Sequence, residues 1–301
     1  MDPARPESLA QLTFGHEPSC DPLDDSCGVS GVLPSPDGRH VAFGNGAYCR
    51  PGYLYVARAD GRAPRRIAPF GACGESGFDW APDSRRLAYA ANGFVYVVGS
   101  DGSHRRRVAV GGDPVWSPDG HALAYQDNRY LSVLRNGHRQ TIAWNVDDYA
   151  WSPNGKWLAI DTHTTYPYSA HLEIIRRDGT GERKLTDSYA LSLTWSRDGR
   201  FIAYSNSGLN VVDLATGGVR PVGPEHGYRH PWSPRGHLLA FDGEQGLSLF
   251  DADTGTTRPL SSDLLRASRG LPTAGRSPTS STETSGRSTA TTFGWPRSPG
   301  T

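Results

Sequence analysis

Short apolar stretches recur along the chain, each closed by a polar cluster rich in Pro, Asp, Asn and Gly. In HALAY (121–125) Leu123 and Tyr125 alternate with Ala122 and Ala124, the two-residue period of a β-strand. Just before it, SPDG (117–120) places Pro where a type I turn wants φ near −65°, with Asp next and Gly closing the turn. Over residues 113–150 the pattern predicts four strands, DPVW, HALAY, YLSVLRNG and HRQTIA, before DDYAW opens the next unit. No segment reads as a convincing helix.

The same ten-residue pattern returns as PSPDGRHVAF from Pro34, WAPDSRRLAY from Trp80, WSPNGKWLAI from Trp151, WSRDGRFIAY from Trp195 and WSPRGHLLAF from Trp232. With Trp116 these copies are spaced by 46, 36, 35, 44 and 37 residues, a repeat period near 40. Third and fourth strands follow in the same order at 94–110, 171–186 and 209–222. Six units of four short antiparallel strands predict an all-β, six-bladed β-propeller over 29–261. Within the N-terminal segment 1–28, LAQLTFG (9–15) reads as a ring-closing strand or the remnant of a further blade, so seven blades stay open. The pattern ends at 262. Residues 267–301 hold 24 Ser, Thr, Gly and Pro in 35, which predicts a disordered tail over 262–301.

The repeat Trp-Ser-Pro-Asp-Gly-x-x-[Leu/Ile]-Ala-[Tyr/Phe] resembles the WD40-like PD40 repeat of TolB-type propellers over about residues 9–261. Trp116–Tyr125, Trp151–Ile160 and Trp195–Tyr204 match best, and RKLTD (183–187) matches the fourth-strand motif. Pro34 in place of Trp, Ser84 in place of Gly and Arg235 in place of Asp depart from it. TolB's N-terminal α/β domain has no counterpart in this sequence. The resemblance implies a bacterial, extracytoplasmic (periplasmic or secreted) module that binds a protein or cell-envelope ligand.

Composition changes this picture little. Lys+Arg and Asp+Glu are both 31, so no net charge draws the chain to nucleic acid. No apolar run is long enough to span a bilayer. The four cysteines, Cys20, Cys27, Cys49 and Cys73, match no zinc-knuckle spacing and suggest two disulfides and an oxidising compartment. The N-terminus shows no signal-peptide pattern, which leaves a cytoplasmic location open.

Propeller geometry sorts the loops. The first-to-second and third-to-fourth turns share one face and are nearly uniform; the remaining loops vary and share the other, where function is expected. At the channel mouth of that variable face we place Asp113, Asp147, Asp148, Tyr228 and Arg229 as a candidate polar-ligand site, with Asp127, Asn128 and Arg129 further out. Tyr166 and Tyr168 form a candidate protein-contact loop. His163, His171, His226 and His230 are the weak candidates for a metal, and the SPDG aspartates read as turn caps rather than calcium ligands. No Gly-x-Ser-x-Gly elbow occurs. The leading expectation is therefore a monomeric, non-catalytic interaction module without cofactor. A metal-dependent polysaccharide lyase-like propeller, a detached peptidase-type propeller and the sensor domain of a membrane-anchored regulator are the alternatives.

Overall fold

Hairpins dominate the computed structural model, which describes residues 29–45, 52–70, 77–165, 168–224, 231–243 and 246–260. Blade 1 is β1 (Val29–Pro34), β2 (His40–Asn45), β3 (Gly52–Arg58) and β4 (Arg65–Phe70). Blade 2 is β5 (Phe78–Trp80), β6 (Arg86–Ala91), β7 (Phe94–Gly99) and β8 (Arg106–Val110). Blade 3 is β9 (Gly112–Trp116), β10 (Ala122–Asp127), β11 (Tyr130–Arg135) and β12 (His138–Ala143). Blade 4 is β13 (Val146–Trp151), β14 (Trp157–Thr165), β15 (Tyr168–Arg176) and β16 (Arg183–Thr186). Blade 5 is β17 (Leu191–Trp195), β18 (Phe201–Ser205), β19 (Leu209–Asp213) and β20 (Val219–Gly223). Among the described residues blade 6 has three strands, β21 (Leu238–Gly243), β22 (Gly246–Asp251) and β23 (Thr256–Pro259). An isolated Trp232–Leu239 bridge stands where its inner strand would run.

Each sheet is antiparallel in simple meander order, and the chain forms the six-bladed β-propeller that its repeats predict. Five hydrophobic clusters each span two consecutive blades. Leu54 and Phe70 meet Trp80 and Leu87; Val95 meets Leu123; Val133 meets Tyr149 and Trp151; Ile174 meets Ile202; Val211 meets Phe241. The core is thus a series of inter-blade layers, and the second strand of a blade is covered on both sides. Ala122, Leu123, Ala124 and Tyr125 are all buried, so their alternation separates two neighbouring blades rather than core from solvent.

The repeat tryptophan ties these layers together. Nε1–H of Trp80 donates to Leu33 O (3.0 Å), that of Trp151 to Val115 O (3.1 Å), that of Trp195 to Ala150 O (3.1 Å) and that of Trp232 to Thr194 O (3.3 Å). Each accepting carbonyl lies in the preceding blade, one residue before its own Trp or, in blade 1, before Pro34. Pro34 has no indole donor to offer in turn.

SPDG turns satisfy themselves. Ser117 Oγ donates to Asp119 Oδ1 (2.6 Å) and accepts from Ala122 N (2.9 Å), while Asp119 Oδ1 accepts from His121 N (3.0 Å). Ser35–Asp37, Ser152–Asn154 and Ser196–Asp198 repeat the first of these bonds. The aspartates are therefore turn caps. Ser84 takes the glycine position at φ 58°, a left-handed conformation that costs a residue with a side chain about 1–2 kcal/mol. Its Oγ accepts Asp37 N–H from blade 1 at 3.0 Å, which offsets that cost.

Blades 5 and 6 share a charged clip. His237 Nε2 lies 2.8 Å from Asp198 Oδ2 and its Nδ1 2.7 Å from Asp253 Oδ2. Two carboxylate partners need two N–H donors, hence the imidazolium form. Partial burial opposes that charge, but the bonds and charges of Asp253 and Asp198 outweigh it and raise the His237 pKa above its usual 6.5. A raised histidine pKa gives stability that is complete below about pH 6.5 and lost as pH rises through the folded-state value. Thermal melts across pH 5.5–8.5 should therefore fall more steeply for the wild type than for His237→Gln. Parallel curves would remove the clip's pH dependence.

Among the described residues no helix is long and apolar enough to cross a membrane. The segment 9–15, the four cysteines and the tail from 261 lie outside the described residues.

Candidate functional site

The two classes of turn share a face, as antiparallel meander order requires, and hydrogen bonds join them in five of the six blades. Arg39, Arg85, Lys156, Arg200 and His237 accept, through their carbonyls, N–H groups of Ala59, Ser100, Arg177, Leu214 and Ala252 at 2.8–3.0 Å. These turns are committed to one another. The opposite face carries the ends of the second and fourth strands and the starts of the first and third.

Exposed apolar side chains gather on that opposite face. Tyr53, Val110, Tyr130, Trp144, Tyr189, Leu191, Leu247 and Leu260 all lie at such strand ends or in the loops beside them. Val219, by contrast, lies at the turn face. Trp144 is 70% exposed and Tyr130 52%, and they flank the last β11–β12 pair, Leu131–Ala143. Sequence reasoning missed Trp144; an aromatic beside the polar pair Asn145 and Asp147 was the available signal. Tyr166 and the side chain of Tyr168, the predicted contact loop, lie outside the described residues.

The predicted acidic arc is split by the strand it stands on. Asp148 turns toward blade 5: its Oδ2 accepts Leu193 N (3.1 Å) and its Oδ1 accepts Tyr149 N (2.7 Å). Burial raises its pKa, and backbone N–H groups, including that of Ser192, counter this. Its carboxylate is an inter-blade clip. Asp79, missed in the sequence, does the same by accepting Trp116 N at 2.7 Å. Asp113 is exposed, and its carbonyl accepts the hydroxyl of Tyr149. Burial, followed by the charges of Asp113, Asp148 and Asp79, pushes that hydroxyl well above the usual tyrosine range.

Asp147 faces the other way. Its Oδ2 is 2.9 Å from Nδ1 of the buried His163, whose Nε2 meets Arg129 Nη1. Blades 3 and 4 thus build one Arg129–His163–Asp147 relay on the variable face, from a second-to-third loop, the outer part of β14 and the start of β13. Asp161 stands behind it, 2% exposed, with Oδ1 accepting Ala190 N at 3.0 Å. Burial first, then the charges of Asp147, Asp148 and Glu173, raises its pKa to about 7. On the same blade His171 Nε2 bonds Ser169 Oγ (3.0 Å) and its Nδ1 lies 3.4 Å from Asp187, which Lys184 also holds.

In His163 and His171 the Nε2 atoms meet Arg129 and Ser169, and each Nδ1 lies within 3.4 Å of an aspartate oxygen. Among the described residues no three His, Cys, Asp or Glu converge as a metal site. Tyr228, Arg229, His226 and His230 lie outside the described residues. A cleft of about 360 Å³ opens elsewhere, on the turn face between blades 4 and 5, lined by Trp157, Arg183, Trp195 and Asp198 among others.

No family profile and no curated protein matches the sequence. Solved structures match its fold. An oligogalacturonate lyase in complex with manganese aligns with TM-score 0.57 at 17% identity, over 76% of this chain and 75% of that one. An oligogalacturonate lyase from Vibrio parahaemolyticus aligns with TM-score 0.56 at 12% identity, over 76% of each chain. TolB from Acinetobacter baumannii aligns with TM-score 0.51 at 18% identity, over 76% of this chain and 62% of that one, so the match spans less than two thirds of TolB. The chain therefore has the TolB-like β-propeller fold, a scaffold common to binding proteins and enzymes.

Proposed function

We propose that this TolB-like propeller is a non-catalytic interaction module that binds a protein or cell-envelope partner through its variable-loop face. The observation that carries the reading is the gathering of exposed apolar side chains there, headed by Trp144 and Tyr130. Aromatic residues are the commonest interface anchors, and exposed apolar surface on one face marks a binding site. The polar groups nearby support it as well: Asp148, Asp161 and His163 are engaged in holding loops and blades rather than left open to a reacting substrate. The likeness to TolB supports an extracytoplasmic module.

The test is retention from envelope extract on the immobilised chain, wild type against Tyr130→Ala/Trp144→Ala. Losing two interface anchors should weaken a specific partner at least about thirtyfold. A partner retained equally by both proteins would sink the assignment of this face.

The manganese-bound lyase among the structural matches favours a second reading, lyase-type cleavage of an acidic polysaccharide. Incubation with oligogalacturonate and manganese separates the two. An ultraviolet-absorbing unsaturated product would replace the binding reading with the enzymatic one.

A further inference from the structure

Equal totals of charge conceal an unequal distribution. The first turns of the six blades (35–40, 81–86, 117–122, 152–157, 196–201, 233–238) and the third-to-fourth turns (58–66, 99–107, 135–140, 176–183, 213–220, 251–258) hold 21 Arg and Lys against 11 Asp and Glu. The whole chain has 31 of each. The excess is periodic. The residue after the turn-glycine position is basic in every blade: Arg39, Arg85, His121, Lys156, Arg200 and His237. All but His237 are exposed. Five of these six have their backbone fixed by the turn-to-turn bonds of their own blade, so the array is held by the scaffold rather than by mobile loops. Bonds between blades add to this, as Gln140 Nε2–H donates to Asp178 O (2.8 Å) and Arg177 pairs with Asp119 (3.1 Å).

We propose that this turn face is a peripheral docking platform for an anionic phospholipid bilayer, which would leave the variable-loop face turned outward. Short turns of nearly constant length, one pair per blade, suit a planar partner. Arginine favours phosphate oxygens, and a ring of cations gains from the negative surface potential of such a membrane. Among the described residues Val219 is the exposed large apolar side chain of this face, so attachment is electrostatic and salt-sensitive rather than insertive. Nucleic acid suits it less. Unspecific single-strand binding relies on aromatic stacking platforms, whereas Arg105 and Arg176 already cover the rings of Tyr96 and Trp157 here. Duplex readers insert a helix or ribbon into a groove, and these turns are too short to do so. The cleft of about 360 Å³ beside Arg183 opens on this same face and has room for a lipid headgroup.

The experiment is vesicle co-sedimentation of the full chain with phosphatidylglycerol/phosphatidylcholine vesicles, with phosphatidylcholine vesicles and a DNA duplex as competing arms. Binding to the anionic vesicles is expected, with loss of about tenfold or more when salt is raised from about 0.05 to 0.5 M. Arg39→Gln/Arg85→Gln/Lys156→Gln should weaken it roughly a hundredfold. The charge-preserving Arg39→Lys/Arg85→Lys/Lys156→Arg should restore it, which controls for folding. Tyr130→Ala/Trp144→Ala on the opposite face should bind vesicles as the wild type does. Equal binding to neutral vesicles, indifference to the Gln triple variant, or tighter binding to the duplex at the same salt would each overturn the proposal.

Discussion

Trp151→Ala is expected to lower the unfolding free energy by about 3–5 kcal/mol, the range for removing a large buried aromatic. Trp151 is 7% exposed and packs with Val133, Leu158 and Ile160 in the layer between blades 3 and 4. Part of that loss belongs to the indole N–H donated to Val115 O, and Trp151→Phe isolates it. The phenylalanine keeps an aromatic ring in the layer but leaves the carbonyl without its donor, at about 1–3 kcal/mol. Trp116 provides the internal control. Its Nε1 is buried and has no hydrogen-bond partner among the described residues, while the Arg86 guanidinium lies 4.8 Å from the ring centroid. Trp116→Phe removes a donor that is already unsatisfied, so its polar contribution should be close to zero or favourable. Urea unfolding of the two phenylalanine variants should differ by roughly 2 kcal/mol. Equal losses would mean that the indoles act through volume alone and that the inter-blade bonds add nothing measurable.

The blades were legible because each repeat carries its own local instructions. SPDG dictates a turn, the alternating apolar residues dictate a strand, and six copies leave one arrangement that buries them all. What each copy packs against was less legible. HALAY alternates as a half-buried strand would, yet both of its faces are covered by neighbouring blades. The departures from the repeat were visible as letters and not as physics. Ser84 reads as a lost glycine, and only the folded chain shows its hydroxyl accepting Asp37 N–H from blade 1.

The candidate site was legible in part. Asp147 and Asp148 were grouped as neighbours, but consecutive residues of a strand point to opposite sides, so one meets His163 and the other meets blade 5. The register that sets Asp148 beside Asp161 was within reach of the sequence: pairing Trp151 with Leu158 and counting back gives it. The irregularity between Val146 and Asp148, which aims Asp147 at the loops, was not. The relay to Arg129 depends on two blades meeting, and no single repeat encodes that meeting. Charge segregation between the faces was hidden by its zero sum.

Asp161→Asn should stabilise the protein at pH 8 and leave it unchanged near pH 4. The carboxyl is 2% exposed, and burial, with the charges of Asp147, Asp148 and Glu173, raises its pKa to about 7 against the Ala190 N–H bond that favours ionisation. In the unfolded chain the group titrates near 3.9. Between about pH 4 and pH 7 the folded state therefore holds a proton that the unfolded state has lost. Stability falls as pH rises through that window and levels off above it. Asparagine is close in shape, stays neutral throughout, and keeps an oxygen to accept Ala190 N–H. The wild type should thus approach the variant at acid pH and fall behind it by about 2–4 kcal/mol at pH 8, read from denaturation midpoints at the two pH values. His237→Gln acts at the interface of blades 5 and 6 and removes a different proton, so the two substitutions should flatten the pH profile additively. A variant less stable than the wild type at pH 8 would show that Asp161 is held as a carboxylate. The Arg129–His163–Asp147 relay would then sit against a buried negative charge instead of a neutral acid.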